Sequence, residues 1–362
     1  MFVDGAGQQG IAFHRRAARS LKRLIGLYRP STFKARGLFW STGVVAMTIV
    51  LALSALGFYW DSEPPTFDVR EAALERVNGD ASKLVVGYVT ASTLARIAET
   101  LLYKRGGYLS NDVAPPGVLM DNIPNWEFGA LVVLRDMAGS FRNHFSRSQS
   151  QSVEDRDLAR AEPQFNFQND SWLFPATESE YEKGIAHLQS YLQRLTNTDH
   201  PDTQFYARAD NLRDWLMIVE KRLGSLSQRL SASAGQVRLN TDLAGDRTAR
   251  QSTEAPETIV VRTPWLEIDD IFYEARGTTW ALLHLLKAVE IDFEEVLRDK
   301  NALVSVRQII RELEASQQPI MGPVILNGDG FGLFANYSIT MANYISRANA
   351  AIIDLRDLLA RG

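Results

Sequence analysis

The chain has 362 residues, 45% of them apolar and 23% charged, with a formal net charge of −4, a balance that excludes both a disordered chain and a strongly basic one. It contains no cysteine, which rules out disulfides, thiolate metal sites and cysteine nucleophiles. The five histidines, His14, His144, His187, His200 and His284, are scattered and form no HExxH or close pair, so neither a metal nor a cofactor is expected.

Residues 11–28, IAFHRRAARSLKRLIGLY, place Phe13, Ala17, Leu21, Leu24 and Tyr28 on one helical face with basic residues largely off it. That is the pattern of a basic amphipathic helix on anionic lipid, and stop-transfer charge without an ordered helix accounts for it equally well. Residues 37–60, GLFWSTGVVAMTIVLALSALGFYW, carry no charge and are bounded by Phe39 and Trp40 at one end and by Phe58, Tyr59 and Trp60 at the other. At about 1.5 Å per residue this run crosses a hydrocarbon core of about 30 Å, with aromatic rings at the headgroup level. It exceeds the apolar core of a secretory signal, so a retained anchor is the better reading. Arg19, Lys22, Arg23, Arg29, Lys34 and Arg36 precede it closely whereas only Arg70 and Arg76 follow, which places residues 1–36 in the cytoplasm and 61–362 in the periplasm. Residues 1–36 carry a net +7; the whole chain carries −4 and the span nothing, so −11 remains beyond it, which argues against a nucleic-acid partner.

After Trp60, DSEPPTFD breaks the helix and begins a short stalk. Helices are expected over 82–104 and 125–145, and between them lies a dense polar stretch, residues 106–129, GGYLSNDVAPPGVLMDNIPNWEFG. Its candidate ligand-binding residues are Asn111, Asp112, Asp121, Asn122, Trp126 and Glu127. A glycan site would use two of the carboxyls Asp112, Asp121 and Glu127, held roughly 5 to 9.5 Å apart, with Trp126 stacked on a sugar. The structural reading makes Asn125 the N-cap of the next helix, sets Glu127 in its first turn against the helix dipole, and leaves the other amides and acids to cap loop backbone. The structural reading is favoured, and no catalytic residue is assigned.

Residues 145–170 and 235–258 are polar and read as long loops or linkers, the second a candidate subdivision near 240–260. Between them, Tyr181, Ile185, Leu188, Leu192 and Leu195 keep a helical rhythm. Phe205, Ala209, Leu212, Leu216, Val219, Leu223, Leu226 and Leu230 then alternate spacings of four and three, the regularity of a bundle or coiled coil. With turn residues at 197–203 the two runs predict a long antiparallel hairpin. Further amphipathic runs use Ile268, Phe272, Leu282, Leu286, Val289 and Phe293; Leu303, Val306, Ile310 and Leu313; and Met341, Ile345, Ala348, Ile352, Leu355 and Leu359. Only TIVVRT and PVIL resemble strands. The acids of EIDD, 267–270, complement a helix dipole better than they bind a cation, and VILNGDGFGLF lacks the spacing of a phosphate or calcium loop. There is no P-loop and no GxSxG elbow.

The stretches GGYLSNDVAPPGVLMDNIPNWEFG, FSRSQSQSVEDRDLARAEPQFNF, YARADNLRDWL, RLGSLSQRLSAS and MANYISRANAAIIDLRDLL resemble the domain of unknown function 2333 family of proteobacterial inner-membrane proteins. The resemblance implies the topology argued above and adds no catalytic residue. The expectation is an all-α helical bundle behind one N-terminal transmembrane helix, acting as a scaffold or adaptor in the bacterial envelope. Its partners would be the lipid bilayer and an envelope protein, with oligomerisation open to it; an envelope glycan hydrolase or glycan-binding protein is the alternative.

Overall fold

The computed structural model describes residues 28, 30–149, 151–197, 203–240, 258–320, 325 and 337–361. The basic stretch before Tyr28 and the Gly-rich stretch 324–334, apart from Ile325, lie outside the described residues. The chain divides into two compact units, Met1–Tyr59 and Trp60–Gly362.

Apart from Tyr28, the described part of the first unit belongs to α1, Pro30–Trp60, which is interrupted at Gly37, where φ is 81° and only glycine sits without strain. From Ala35 to Trp60 the helix is long and apolar enough to cross a membrane, and none of its most apolar stretch is buried by the rest of the chain. Phe39 and Phe58, near its two ends, are 96% and 81% exposed.

Among its described residues the second unit is all-α apart from one small sheet. Its helices are α2 (Val69–Arg76), α3 (Tyr88–Tyr103), α4 (Asn122–Ser140), α5 (Leu158–Phe165), α6 (Thr177–Leu195), α7 (Ala209–Ser231), α8 (Ile268–Asp292), α9 (Glu294–Asp299), α10 (Leu303–Ser316) and α11 (Tyr337–Ala360). Strands β1 (Gln236–Leu239) and β2 (Thr258–Val261) pair antiparallel, Gln236 opposite Val261. The ends of the expected loop 235–258 are therefore a sheet, and TIVVRT does supply a strand.

Helix α8 is the axis of the bundle. Every residue from Ala275 to Leu286 is buried, because α3, α4 and α10 pack around it. It runs parallel to α4, with Asn125 bonded to Asp270 at one end of the contact (2.7 Å) and Thr278 to the Gly129 carbonyl further along (3.3 Å). The backbones meet at two glycines: a Cβ on Gly129 would lie 2.0 Å from the Glu274 oxygen, and one on Gly277 would lie 1.9 Å from the Trp126 oxygen.

The apolar seams are buried as their spacing requires, from Leu212 to Leu230 on α7 and from Met341 to Leu359 on α11. Their partners differ from the sequence expectation. The α6–α7 hairpin does not form a packed pair: α6 lies on α3 and α5, whereas α7 lies along α11. Arg356 meets Glu220 and Ser227 reaches the Ala342 carbonyl (3.4 Å), so α7 and α11 run antiparallel. A seam of period 3.5 specifies an apolar stripe but not the stripe that covers it. The turn expected at 197–203 lies mostly outside the described residues; residues 203–208 lead into α7 without regular structure and carry Phe205 into a ring cluster with Phe141, Phe145 and Phe293, at centroid distances of 5.3 to 5.7 Å.

Two further boundaries differ. The polar stretch 145–170 contains α5, because Asp155 accepts hydrogen bonds from the amides of Asp157 and Leu158 (2.9 and 3.2 Å) while Leu158, Ala161 and Phe165 supply a buried stripe. The helix expected from Asn125 begins three residues earlier, since Asp121 accepts from the Asn122 amide (2.9 Å) and Pro124 falls in the first turn, where its missing N–H costs nothing. Helices on both sides of residues 240–260 pack into one core, α4 on α8 and α7 on α11.

Candidate functional site

The stretch 106–129 folds into a packed turn between α3 and α4. Glu127 has no exposed surface; it lies beyond the first turn of α4 and so does not act on the helix dipole as expected. Instead it staples the turn. Its carboxylate accepts the amides of Leu109 (2.9 Å) and Ser110 (2.8 Å) and the Ser110 hydroxyl, and it pairs with Lys104, which also donates to the Gly107 carbonyl. Burial raises the Glu127 carboxyl above its ordinary value, while Lys104 and the hydrogen bonds pull it back.

Trp126 is also fully buried, 5.1 Å from the Trp280 ring, and its indole N–H has no partner. Asn111 is buried and donates to the Ser171 carbonyl (2.9 Å) and to Glu178 (2.7 Å), tying the turn to the start of α6. Asp112 is half-buried and its carboxyl is raised, first by burial and then by Glu178. Asp121 is exposed at the cap of α4, and Asn122 reaches toward Asp61 at 3.5 Å. Trp126 and Glu127, which a sugar would have to touch, are enclosed, whereas Asp121 is exposed and Asp112 and Asn122 are half-buried.

The neighbouring chain shows a more unusual arrangement. Residues 61–67, read from sequence as a stalk, lie extended along α8 as a strap with three polar anchors. Arg276 holds Glu63 through its Nε (2.9 and 3.1 Å) and also donates to the carbonyls of Ser316 (2.7 Å) and Gln318 (2.9 Å). The Trp280 indole donates to the Pro65 carbonyl (3.3 Å), and the Phe67 amide donates to His284 Nε2 (3.0 Å). The anchors advance by four residues on the helix and by two on the strap. Four helical residues rise about 6.0 Å and two extended residues about 6.6 Å, so the two chains stay in step over the whole contact.

His284 closes the strap. Its ring stacks on Phe67 at 4.0 Å and 9°. Burial pushes its pKa down to about 4, so the ring is neutral at physiological pH. With Nδ1 on the Trp280 carbonyl at 2.7 Å, the proton belongs on Nδ1, which leaves the Nε2 lone pair for Phe67. Periodicity misses these residues because it searches for apolar positions. The available signal was the recurrence of Arg276, Trp280 and His284 every four residues in an otherwise apolar helix, matched by the alternate positions Glu63, Pro65 and Phe67.

Strap and α3 together enclose a cleft of about 710 Å³, lined by Ser62–Phe67 and by Arg96, Glu99, Thr100, Tyr103, Lys104 and Arg105. Most of its charges are engaged: Glu99 with Arg76 and Gln189, Arg105 with Ser62 (3.1 Å), Glu63 with Arg276. Arg96 is exposed, 5.9 Å over the Phe67 ring. The cleft brings a cation, two aromatic rings and prolines together without placing a base beside a nucleophile. Among the described residues no group of His, Asp and Glu could hold a metal ion.

Nothing among the curated proteins and nothing among the solved structures matches the chain. The family model described as an uncharacterized protein conserved in bacteria matches residues 33–362, nearly the whole chain, including most of α1, the strap, the packed turn and both long seams. The protein is therefore a member of the DUF2333 family.

Proposed function

We propose that this protein is a single-pass scaffold or adaptor of the bacterial cell envelope. In this reading α1 crosses the inner membrane, residues 1–36 stay in the cytoplasm and the helical bundle works in the periplasm beside an envelope protein partner. The charge distribution supports the orientation: six basic residues crowd the segment before the span, and −11 lies beyond it. The same acidity disfavours nucleic acid. Oligomerisation remains open through the outer helical faces.

The observation that carries the reading is the strap. A catalytic domain on a flexible tether has no need to fix the residues that follow its anchor, whereas here Glu63, Pro65 and Phe67 are locked to the most buried helix of the bundle. The residues that follow α1 are thus part of the packed bundle rather than a free linker, which is the property a tethered scaffold requires. The test has two arms. A periplasm-dependent reporter fused at the carboxyl end should be active, and activity only from a cytoplasm-dependent reporter would refute the orientation. Crosslinking in living cells should recover a stoichiometric envelope protein with the full chain; recovery of none would refute the adaptor role.

A further inference from the structure

Both ends of the bundle expose large apolar side chains, but the far end shows the valines Val86, Val153 and Val304 whereas the entry end shows tryptophan, phenylalanine and leucine. The chain enters at the end where the Trp60 ring packs over Gly106 (a Cβ there would lie 2.8 Å from the ring) and where Asn122 faces Asp61. The same end holds the start of α4, joined to the start of α8 by Asn125–Asp270, and the start of α6, joined to the turn by Asn111–Glu178. It carries Leu119 (78% exposed), Trp172 (56%), Leu173 (47%), Phe174 (90%), Trp265 (64%) and Leu266 (77%). Trp126, Trp215 and Trp280 are by contrast fully buried.

The Trp172–Phe174 tip is a built feature. Its base is closed by Ser171 donating to the Pro175 carbonyl (2.8 Å) and by Thr177 and Asn111 donating to the Ser171 carbonyl. Such a base leaves Phe174 almost wholly in water and Trp172 and Leu173 about half exposed, an apolar surface that the fold does not cover. Tryptophan, leucine and phenylalanine at loop tips suit the headgroup and upper acyl region of a bilayer. The chain itself names the occupant, because Trp60, which ends the membrane-type helix, is also the first residue of this end of the bundle.

We propose that this end of the bundle is a second membrane contact, in which the tips at Leu119, Trp172–Phe174 and Trp265–Leu266 dip into the bilayer surface. Its chemistry is apolar insertion rather than attraction to anionic lipid. Asp61, Asp121, Asp269 and Asp270 occupy the same end as the exposed Arg105 beside Ser62 and outnumber it, so the surface repels negative headgroups and favours a zwitterionic interface. The contact goes beyond anchoring by α1, and it rests on that reading only for proximity to a bilayer.

The absence of cysteine makes the test direct. Full-length protein carrying Leu119→Cys, Phe174→Cys or Leu266→Cys is labelled with a nitroxide, reconstituted in phosphatidylcholine bilayers and read for depth from oxygen against nickel accessibility. Val304→Cys, at an exposed far-end position, and Val50→Cys, in the span, serve as references. The three tip labels are expected at headgroup-to-acyl depth, with an oxygen-to-nickel ratio several-fold above that of Val304→Cys, and shallower as anionic lipid is added. Tip labels as water-accessible as Val304→Cys while Val50→Cys reads lipid would overturn the contact and leave the anchor intact. A Val50→Cys label in water would instead overturn the anchor. Tips open in pure lipid but shielded in native membranes would mean a protein partner, and deeper immersion on anionic lipid would mean basic contact; either result overturns the proposal.

Discussion

The two ends of the bundle use aromatic side chains in opposite ways. At the far end, where α4, α6 and α8 finish, Phe141, Phe145, Phe205 and Phe293 pack ring against ring with no exposed surface on Phe141, Phe145 or Phe293. Polar groups sealed nearby are fully engaged: Arg194 donates to Asp155 (2.8 Å) and Asp157 (2.8 Å), and Asp292 accepts both the amide and the hydroxyl of Thr90 (2.7 and 2.6 Å). At the entry end the tips at Leu119, Trp172–Phe174 and Trp265–Leu266 are exposed, and the strap that starts there is held by the Glu63–Arg276 pair and by hydrogen bonds to the Pro65 carbonyl and from the Phe67 amide. One end is thus built as a core and the other as a surface resting on it. Stability should reside in the first and contact with other molecules in the second.

The largest expected effect tests the sealed end. Phe145→Ala removes the ring that touches Phe141, Phe205 and Phe293, and a phenylalanine cavity of this kind costs about 3–5 kcal/mol. Denaturant unfolding of the purified full-length chain should show it as a lower midpoint. A loss under about 1 kcal/mol would mean that the cluster collapses around the gap and that the contrast between the ends is weaker than drawn.

Next is the strap. Arg276→Ala leaves Glu63 and the carbonyls of Ser316 and Gln318 without their donor in a site where Arg276 is 6% exposed and Glu63 18%. The expected cost is about 3 kcal/mol, together with faster hydrogen exchange at the Phe67 amide. The Arg229–Glu274 pair, whose arginine is 43% exposed, is the control: Arg229→Ala should cost under about 1 kcal/mol and leave Phe67 protected. Exchange at Phe67 unchanged in Arg276→Ala would show that the three anchors do not act together.

Two groups of α8, Asp292 and His284, should also respond oppositely to pH. Burial raises Asp292 from 3.8 to about 6. Its contribution to stability is complete below 3.8 and is lost as pH climbs through 6. His284 is lowered from 6.5 to about 4, so its contribution is complete above 6.5 and is lost as pH falls through 4. Between pH 4 and 6 the two slopes oppose each other, each approaching about 1.4 kcal/mol per pH unit at its steepest. Relative to the parent chain, Asp292→Asn should therefore gain stability as pH rises through this window, and His284→Gln should gain as pH falls. Unfolding midpoints that move in parallel for both variants would remove the opposition.

These contrasts were only partly visible in the residues. The all-α class, the apolar helix before Asp61 and the buried faces of α7, α8 and α11 were legible because helical burial repeats every three or four positions, from Leu212 to Leu230 and from Met341 to Leu359. The pairing of α7 with α11 was not, since many seams have the same period and the choice is made by shape across more than a hundred residues. Helix α5 was hidden by Ser and Gln upstream, although Asp155 and the Leu158–Ala161–Phe165 stripe were sufficient to find it. The strap was hidden more deeply. Two of its anchors, the Pro65 carbonyl and the Phe67 amide, are backbone groups that any residue carries, so DSEPPTF reads as a linker until a helix is placed beside it. Within the packed turn, the polar density of Asn111, Asp112, Asp121 and Glu127 was correctly seen, but residue types alone do not tell an enclosed staple from an open site.

The smallest expected effect is the most discriminating for the entry end. Phe174 is 90% exposed on a tip whose base is closed by its own hydrogen bonds, so Phe174→Ser removes no packing and should change unfolding stability by no more than about 0.5 kcal/mol. Against the several kcal/mol expected for Phe145→Ala, the same residue type at opposite ends of one bundle would then differ about tenfold in its worth to the fold. A large loss from Phe174→Ser would mean that the tip supports the core, and the division of the molecule into a stabilising end and a contacting end would fail. A negligible loss leaves the ring with no role in stability, so its retention on an ordered tip has to be explained by what lies outside the chain.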